Sequence, residues 1–111
     1  MAAFLVFNTL ATISYSPVRY FTERTPEVGE ALDEWYHKTK VTNRNNLTEL
    51  KNTFNSTDYV GNERFVFNIR GNRYRLIAMV VFSIRTVYIK FIGTHKAYDA
   101  IDAATIELPK K

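Results

Sequence analysis

The chain has 111 residues, 46% of them hydrophobic, 14% aromatic and 23% charged, a composition that excludes a disordered chain and predicts one packed domain over residues 1–111. Without cysteine there is no disulfide, thiol nucleophile or thiolate metal site, and with two histidines a zinc site would have to recruit carboxylates, so no metal or other cofactor is expected. The net charge of +4 is unevenly placed: Met1 to Asn62 carries six Lys or Arg against seven Asp or Glu, whereas Glu63 to Lys111 carries nine against four.

The longest apolar runs, Met1 to Phe7 and Leu76 to Phe82, are about a third of a membrane span, and the first lacks a basic start, which points to the cytoplasm and away from a membrane. Phe4 to Asn8 reads as a short strand. Ser16-Pro17 then offers an N-cap with proline at the first helical position, followed by Val18 and Phe21 on one side. Thr25-Pro26-Glu27 repeats that start signal. Val28, Ala31, Leu32 and Trp35 follow at i, i+3, i+4 and i+7, the stripe of a core-facing helix, with Glu27, Glu30, Asp33 and Glu34 on its other face. A polar stretch, Thr42 to Asn46, leads to a short helix expected at Leu47 to Phe54 and a loop through Gly61-Asn62.

The second half reads as strands. Arg64 to Arg70 alternates strictly, and Gly71-Asn72 is a hairpin signal, because both residues tolerate the positive φ of primed turns. With that loop, Arg70 faces Arg73, Asn68 faces Arg75 and Val66 faces Ile77 on one open face. Phe65, Phe67, Ile69, Tyr74, Leu76 and Ala78 then share the core face. A third strand, Thr86 to Gly93, is expected to pair Phe82 with Val87, Val80 with Ile89 and Ala78 with Phe91, and to leave Tyr88 and Lys90 on the open face. Thr94 caps a last helix, His95 to about Thr105, with Ala97, Ile101 and Ala104 inward and His95, Tyr98, Asp99 and Asp102 clustered on another side.

Arg64 to Lys96 holds seven cations and no acid. Such a folded basic surface fits a polyanion such as RNA, although the solvated face of any basic protein carries the same signature. The predicted register brings Asn68, Arg70, Arg73 and Arg75 together, with His95 and Tyr98 above them. Cations hold a phosphate, while an imidazole and a phenol move protons. Metal-free RNA cleavage needs those roles: a base for the 2′-hydroxyl, an acid for the leaving 5′-oxygen and fixed positive charge for the pentavalent phosphate. Each residue also has an ordinary reading, His95 as an exposed first-turn residue, Tyr98 as a packing aromatic and Asn68 as a strand residue. Three arginines across one hairpin are harder to explain without an anion nearby, because facing like charges destabilise a sheet.

The segments Phe67 to Ala78 (FNIRGNRYRLIA) and Tyr88 to Asp99 (YIKFIGTHKAYD) resemble the HigB toxins of bacterial type II toxin–antitoxin systems, members of the RelE-like superfamily. So does the upstream pattern of Arg19 to Pro26, Ala31 to Tyr36, Glu49 to Lys51 and Phe54, and the resemblance runs from residue 18 to about 106. At the amino end, where such toxins pass from a short strand almost directly into the helix, Thr9 to Ser16 reads as an insertion. The resemblance implies an α+β, RelE-like fold, with N-terminal helices on one face of a mostly antiparallel sheet and a short C-terminal helix. It also implies a ribosome-dependent mRNA endonuclease that needs no metal and is neutralised by a helix-turn-helix antitoxin of the HigA type, meeting DNA only through that complex. The expected catalytic set is His95, Tyr98, Arg75 and Asn68, with Arg70, Asn72, Arg73, Lys90, Lys96 and Lys51 as RNA contacts. Which residue is acid and which base stays open. The alternative is a binder of RNA or ribosomes that blocks translation without cutting, or an inactive relative kept for antitoxin binding.

Overall fold

The computed structural model describes residues 12–13, 16–40, 57–71, 73–84 and 86–108. In chain order they form β1 (Thr12–Ile13), α1 (Ser16–Arg24), a 3-10 turn (Pro26–Val28), α2 (Gly29–Lys40), β2 (Thr57–Tyr59), β3 (Arg64–Ile69), β4 (Tyr74–Val81), a second 3-10 turn (Phe82–Ile84), β5 (Thr86–Thr94) and α3 (His95–Asp99). The sheet runs β1-β5-β4-β3-β2, with β1 parallel to β5 and every other neighbour antiparallel. The strand and helix expected at Phe4 to Asn8 and Leu47 to Phe54 lie outside the described residues. β1 sits inside the segment that reads as an insertion, and α1 begins three residues after it, so strand and helix are here nearly continuous.

α1 and α2 pack on one face of the sheet because both bury an apolar stripe. Val18, Val28, Leu32 and Trp35 join Phe65, Phe67, Ile69, Tyr74, Leu76, Ala78, Val80, Val87 and Ile89 in one core. Trp35 meets Phe67 edge-on at 5.4 Å between ring centroids, and each fully buried side chain of this size contributes roughly 1.5–3 kcal/mol. Thr25 makes no side-chain cap bond, and the chain winds through the 3-10 turn before α2 settles at Gly29.

The β3–β4 register is the expected one, with Asn68 opposite Arg75 and Val66 opposite Ile77. Pairing stops at Ile69 and Tyr74, and among the described residues of the turn Arg70 (φ 53) and Gly71 (φ 66) are left-handed. Glycine takes that conformation at no steric cost, whereas at Arg70 it swings the side chain off the expected face. β2 was not legible as a strand; it pairs Thr57 to Tyr59 with Phe67 to Phe65 through a tight turn in which Asn62 and Glu63 have positive φ.

Between β4 and β5 the register differs from expectation. Val80 opposes Val87, Ala78 opposes Ile89 and Ile77 opposes Phe91, with a shift between Ile77 and Ala78 that leaves Lys90 as an extra residue. Phe91 thereby moves off the core face, Ile92 takes its place beside Leu76, and Thr94 lies opposite Tyr74 instead of Arg75.

The last helix is also shorter than expected. Ala100 closes it by donating to the Ala97 and Tyr98 carbonyls, Ala97 is exposed, and turns carry the chain on through Ala103 to Thr105. The segment that follows lies over the second sheet face. Arg64, 4% exposed, donates through Nη1 to the carbonyls of Ala103 and Ile106 and through Nη2 to the Glu107 carboxylate (2.7 Å). Lys90 Nζ meets the other oxygen of that carboxylate at 2.8 Å, and Asn62 Nδ2 donates to the Ala104 carbonyl. Val66 and Ile77, expected on an open face, are accordingly 3% and 0% exposed. Among the described residues no helix is long and apolar enough to cross a membrane.

Candidate active site at the hairpin end of the sheet

The hairpin end of this second face carries the expected site residues. There Asn68, Arg75 and Gly93 form one row across β3, β4 and β5, with Asn68 exposed, Arg75 half-buried and Gly93 buried. Gly93 is needed because a Cβ at that position would stand 2.6 Å from the Phe91 ring, which lies over it. The ring fills the place of the missing side chain.

α3 starts beside this row. Thr94 accepts a hydrogen bond from the Ala97 amide (3.1 Å), and the His95 amide donates to the Arg73 carbonyl (2.9 Å), so the helix is capped by the chain and tied to the hairpin. Tyr98, one turn further on, faces Arg75, whose Cζ lies 5.8 Å from its ring centroid. Arg75 also donates to the Tyr74 carbonyl at 3.3 Å. His95 Nδ1 lies 3.2 Å from Asp99 Oδ2, an i, i+4 pair on the solvent side of α3. Arg73 and Lys96 are exposed next to His95, and Asp102 turns away to accept from the Ala104 amide. The structure thus joins Asn68, Arg75 and Tyr98, and ties the His95 backbone to the hairpin at Arg73 with its imidazole against Asp99.

Two expected members of the cluster lie elsewhere. Arg70 Nη1 is 3.2 Å from Glu27 Oε2, and the same oxygen accepts from the Tyr74 hydroxyl at 2.6 Å, so Arg70 reaches to the helix side of the sheet. Glu27, expected on the outer face with Glu30, Asp33 and Glu34, stays exposed but reaches the hairpin and supplies an anion to Arg70. Its hydrogen bond, with burial and its charge, raises the Tyr74 phenol above the usual value, against the opposing pull of Arg70 and Arg73. Lys90, three residues along β5 from Gly93, stays on the second face but is paired with Glu107. The Lys90 hydrogen bond, helped by that of Arg64, holds the Glu107 carboxyl below its usual range although burial pulls the other way. Asn72 and Lys51 lie outside the described residues.

Glu27, Arg64 and Glu107 were missed as partners. One signal was present in the sequence: Val66 and Ile77 on a supposedly open face call for a cover.

Two helices against a mostly antiparallel sheet, with a short third helix at the mouth of a basic hairpin, define a RelE-like toxin fold. The chain belongs to the HigB toxin family, the RelE-like toxic component of a toxin-antitoxin system, whose family model matches residues 28–101 and so includes Asn68, Arg75, His95 and Tyr98. The mRNA interferase toxin HigB of Escherichia coli (strain K12) and the mRNA interferase HigB of Escherichia coli O157:H7 and of Shigella flexneri are similar to it. Each is 42% identical over 57 residues, which is 49% of this chain and 54% of the relative. The chain spans about half the length of the curated relatives it matches.

Proposed function

We propose that the protein is a ribosome-dependent mRNA endoribonuclease that arrests translation without a metal and is neutralised by a cognate helix-turn-helix antitoxin of the HigA type. The observation that carries this reading is the convergence of Asn68, Arg75 and Tyr98 at the hairpin end of the sheet, with His95 at the start of the adjoining helix, all within the family-matched segment. That the matched relatives are named mRNA interferases supports it.

In the reaction the RNA 2′-oxygen forms a bond to phosphorus as the bond to the 5′-oxygen breaks, giving a 2′,3′-cyclic phosphate and a 5′-hydroxyl. One proton leaves the 2′-hydroxyl and one reaches the 5′-oxygen. Charge grows on the pentavalent phosphate between them, where a fixed cation is worth most. Arg75 supplies that cation, and the Asn68 amide hydrogen-bonds the same phosphate or its sugar. His95 and Tyr98 carry the two protons. Arg73 and Lys96 extend the cationic mouth toward neighbouring phosphates, and Asn72 and Lys51 are further candidate RNA contacts.

The test is to induce the protein in a bacterium and map mRNA 5′ ends in translated and untranslated transcripts. Cuts confined to translated frames are expected. Growth arrest with intact mRNA would favour a non-cleaving inhibitor, and no arrest an inactive relative.

A further inference from the structure

Resting on the endoribonuclease reading, we propose that Asp99 is a positioning residue: it fixes the proton of the neutral His95 ring on Nδ1 and leaves Nε2 as the atom that exchanges a proton with RNA. Among the described residues, the ring contact His95 makes is with Asp99 Oδ2, at 3.2 Å from Nδ1. An ionised carboxylate only accepts hydrogen bonds, so the imidazole nitrogen facing it must be the donor, and the lone pair falls on the other nitrogen. The His95 backbone is anchored separately, by its amide on the Arg73 carbonyl. The carboxylate therefore sets both the tautomer and the ring orientation of a residue whose backbone is already fixed to the hairpin. Once Nε2 takes a proton, Asp99 faces the resulting imidazolium and stabilises it.

The pair does little for the fold. Its side chains are 43% and 63% exposed, and exposed i, i+4 pairs add little stability. The end of α3 is held separately by the Ala100 amide on the Ala97 and Tyr98 carbonyls. Asp99→Ala should consequently fold like the parent.

The experiment uses the intact 15N-labelled chain, with long-range 1H–15N correlation spectra at about pH 8, where an ordinary imidazole is neutral. In the parent, His95 should carry its proton on Nδ1. In D99A the His95 proton should redistribute toward Nε2, while His37, whose Nδ1 lies 2.8 Å from the Asp33 carbonyl oxygen, keeps its pattern as an internal reference. Single-turnover cleavage on programmed ribosomes should fall by about 10- to 100-fold in D99A with ribosome association unchanged, a loss typical of groups that orient a working imidazole. Asp99→Glu, which keeps the carboxylate on a longer arm, should recover part of it. A parent His95 protonated on Nε2 overturns the proposal, as does a D99A protein with unchanged tautomer or unchanged cleavage. Failure of the underlying reading is distinguishable, because His95→Ala would then cleave like the parent.

Discussion

Arg75→Ala removes the central cation of the candidate site while leaving the sheet in place. The structure bounds the effect on stability. The Arg75 guanidinium lies 5.8 Å from the Tyr98 ring centroid, a contact worth roughly 0.5–1 kcal/mol at a half-exposed site. Its hydrogen bond to the Tyr74 carbonyl is long, at 3.3 Å. Against these losses stands relief of repulsion from Arg73. That relief is small, because Glu27 already answers the charge of Arg70. The opposing effects leave the variant within about 1 kcal/mol of the parent, a melting shift of about 5 °C or less. Loss of a fixed charge at the phosphate, by contrast, costs about 100- to 1,000-fold in rate, or roughly 2.7–4 kcal/mol of transition-state stabilisation. The assay is single-turnover cleavage of mRNA on programmed ribosomes, with circular-dichroism melting of the same sample. A folded R75A protein that cleaves within about threefold of the parent would refute the role given to this cation.

Gly93→Ala should displace the Phe91 ring, which would otherwise stand 2.6 Å from the new Cβ, and cost about 1–3 kcal/mol of stability by urea unfolding; a neutral outcome would mean that the ring moves freely and does not shape the site. The Glu107 carboxyl is held below its ordinary value of 4.5, so its pairing with Lys90 and Arg64 adds stability that is fully present above that value and is lost as pH falls through the lowered folded value. Unfolding midpoints of the parent and Glu107→Gln should differ near neutrality and converge on acidification; a gap that persists to about pH 2 would contradict this. Expression alone should yield few viable transformants, and co-expression with a neighbouring helix-turn-helix protein should restore growth and co-purify; equal colony counts with and without that protein would count against a toxin.

The parts of the fold that were legible rest on short-range rules. Strict alternation over Arg64 to Ile69 and a glycine in the turn suffice to place Asn68 opposite Arg75, and the i, i+3, i+4 spacing of Val28 to Trp35 to place α2 on the core. The β4–β5 register was not legible, because the ladder closes one residue earlier than expected, so that Val80 already opposes Val87 instead of Ile89, and the Lys90 bulge then changes the offset by one residue. The 3-10 turn at Phe82–Ile84 further removes Phe82 from the ladder. The C-terminal cover was hidden for a different reason: Arg64, Lys90 and Glu107 are 17 to 43 residues apart in sequence, and nothing local to any of them announces the pairing. Arg70 left the expected cluster through a single backbone angle. The placement of Asn68 opposite Arg75 and the start of the last helix at Thr94 were legible because the hairpin and the cap are both local signals.

The most direct test of the site is Tyr98→Phe, which deletes one hydroxyl and keeps the ring beneath the Arg75 guanidinium. The measurement is mRNA cleavage on programmed ribosomes alongside co-sedimentation with those ribosomes. If Tyr98 carries a proton in the reaction, Y98F should sediment like the parent and lose about 100- to 10,000-fold in cleavage rate, as should His95→Ala. A Y98F protein that cleaves at close to the parent rate would contradict the assignment and leave His95 as the sole proton carrier in this cluster.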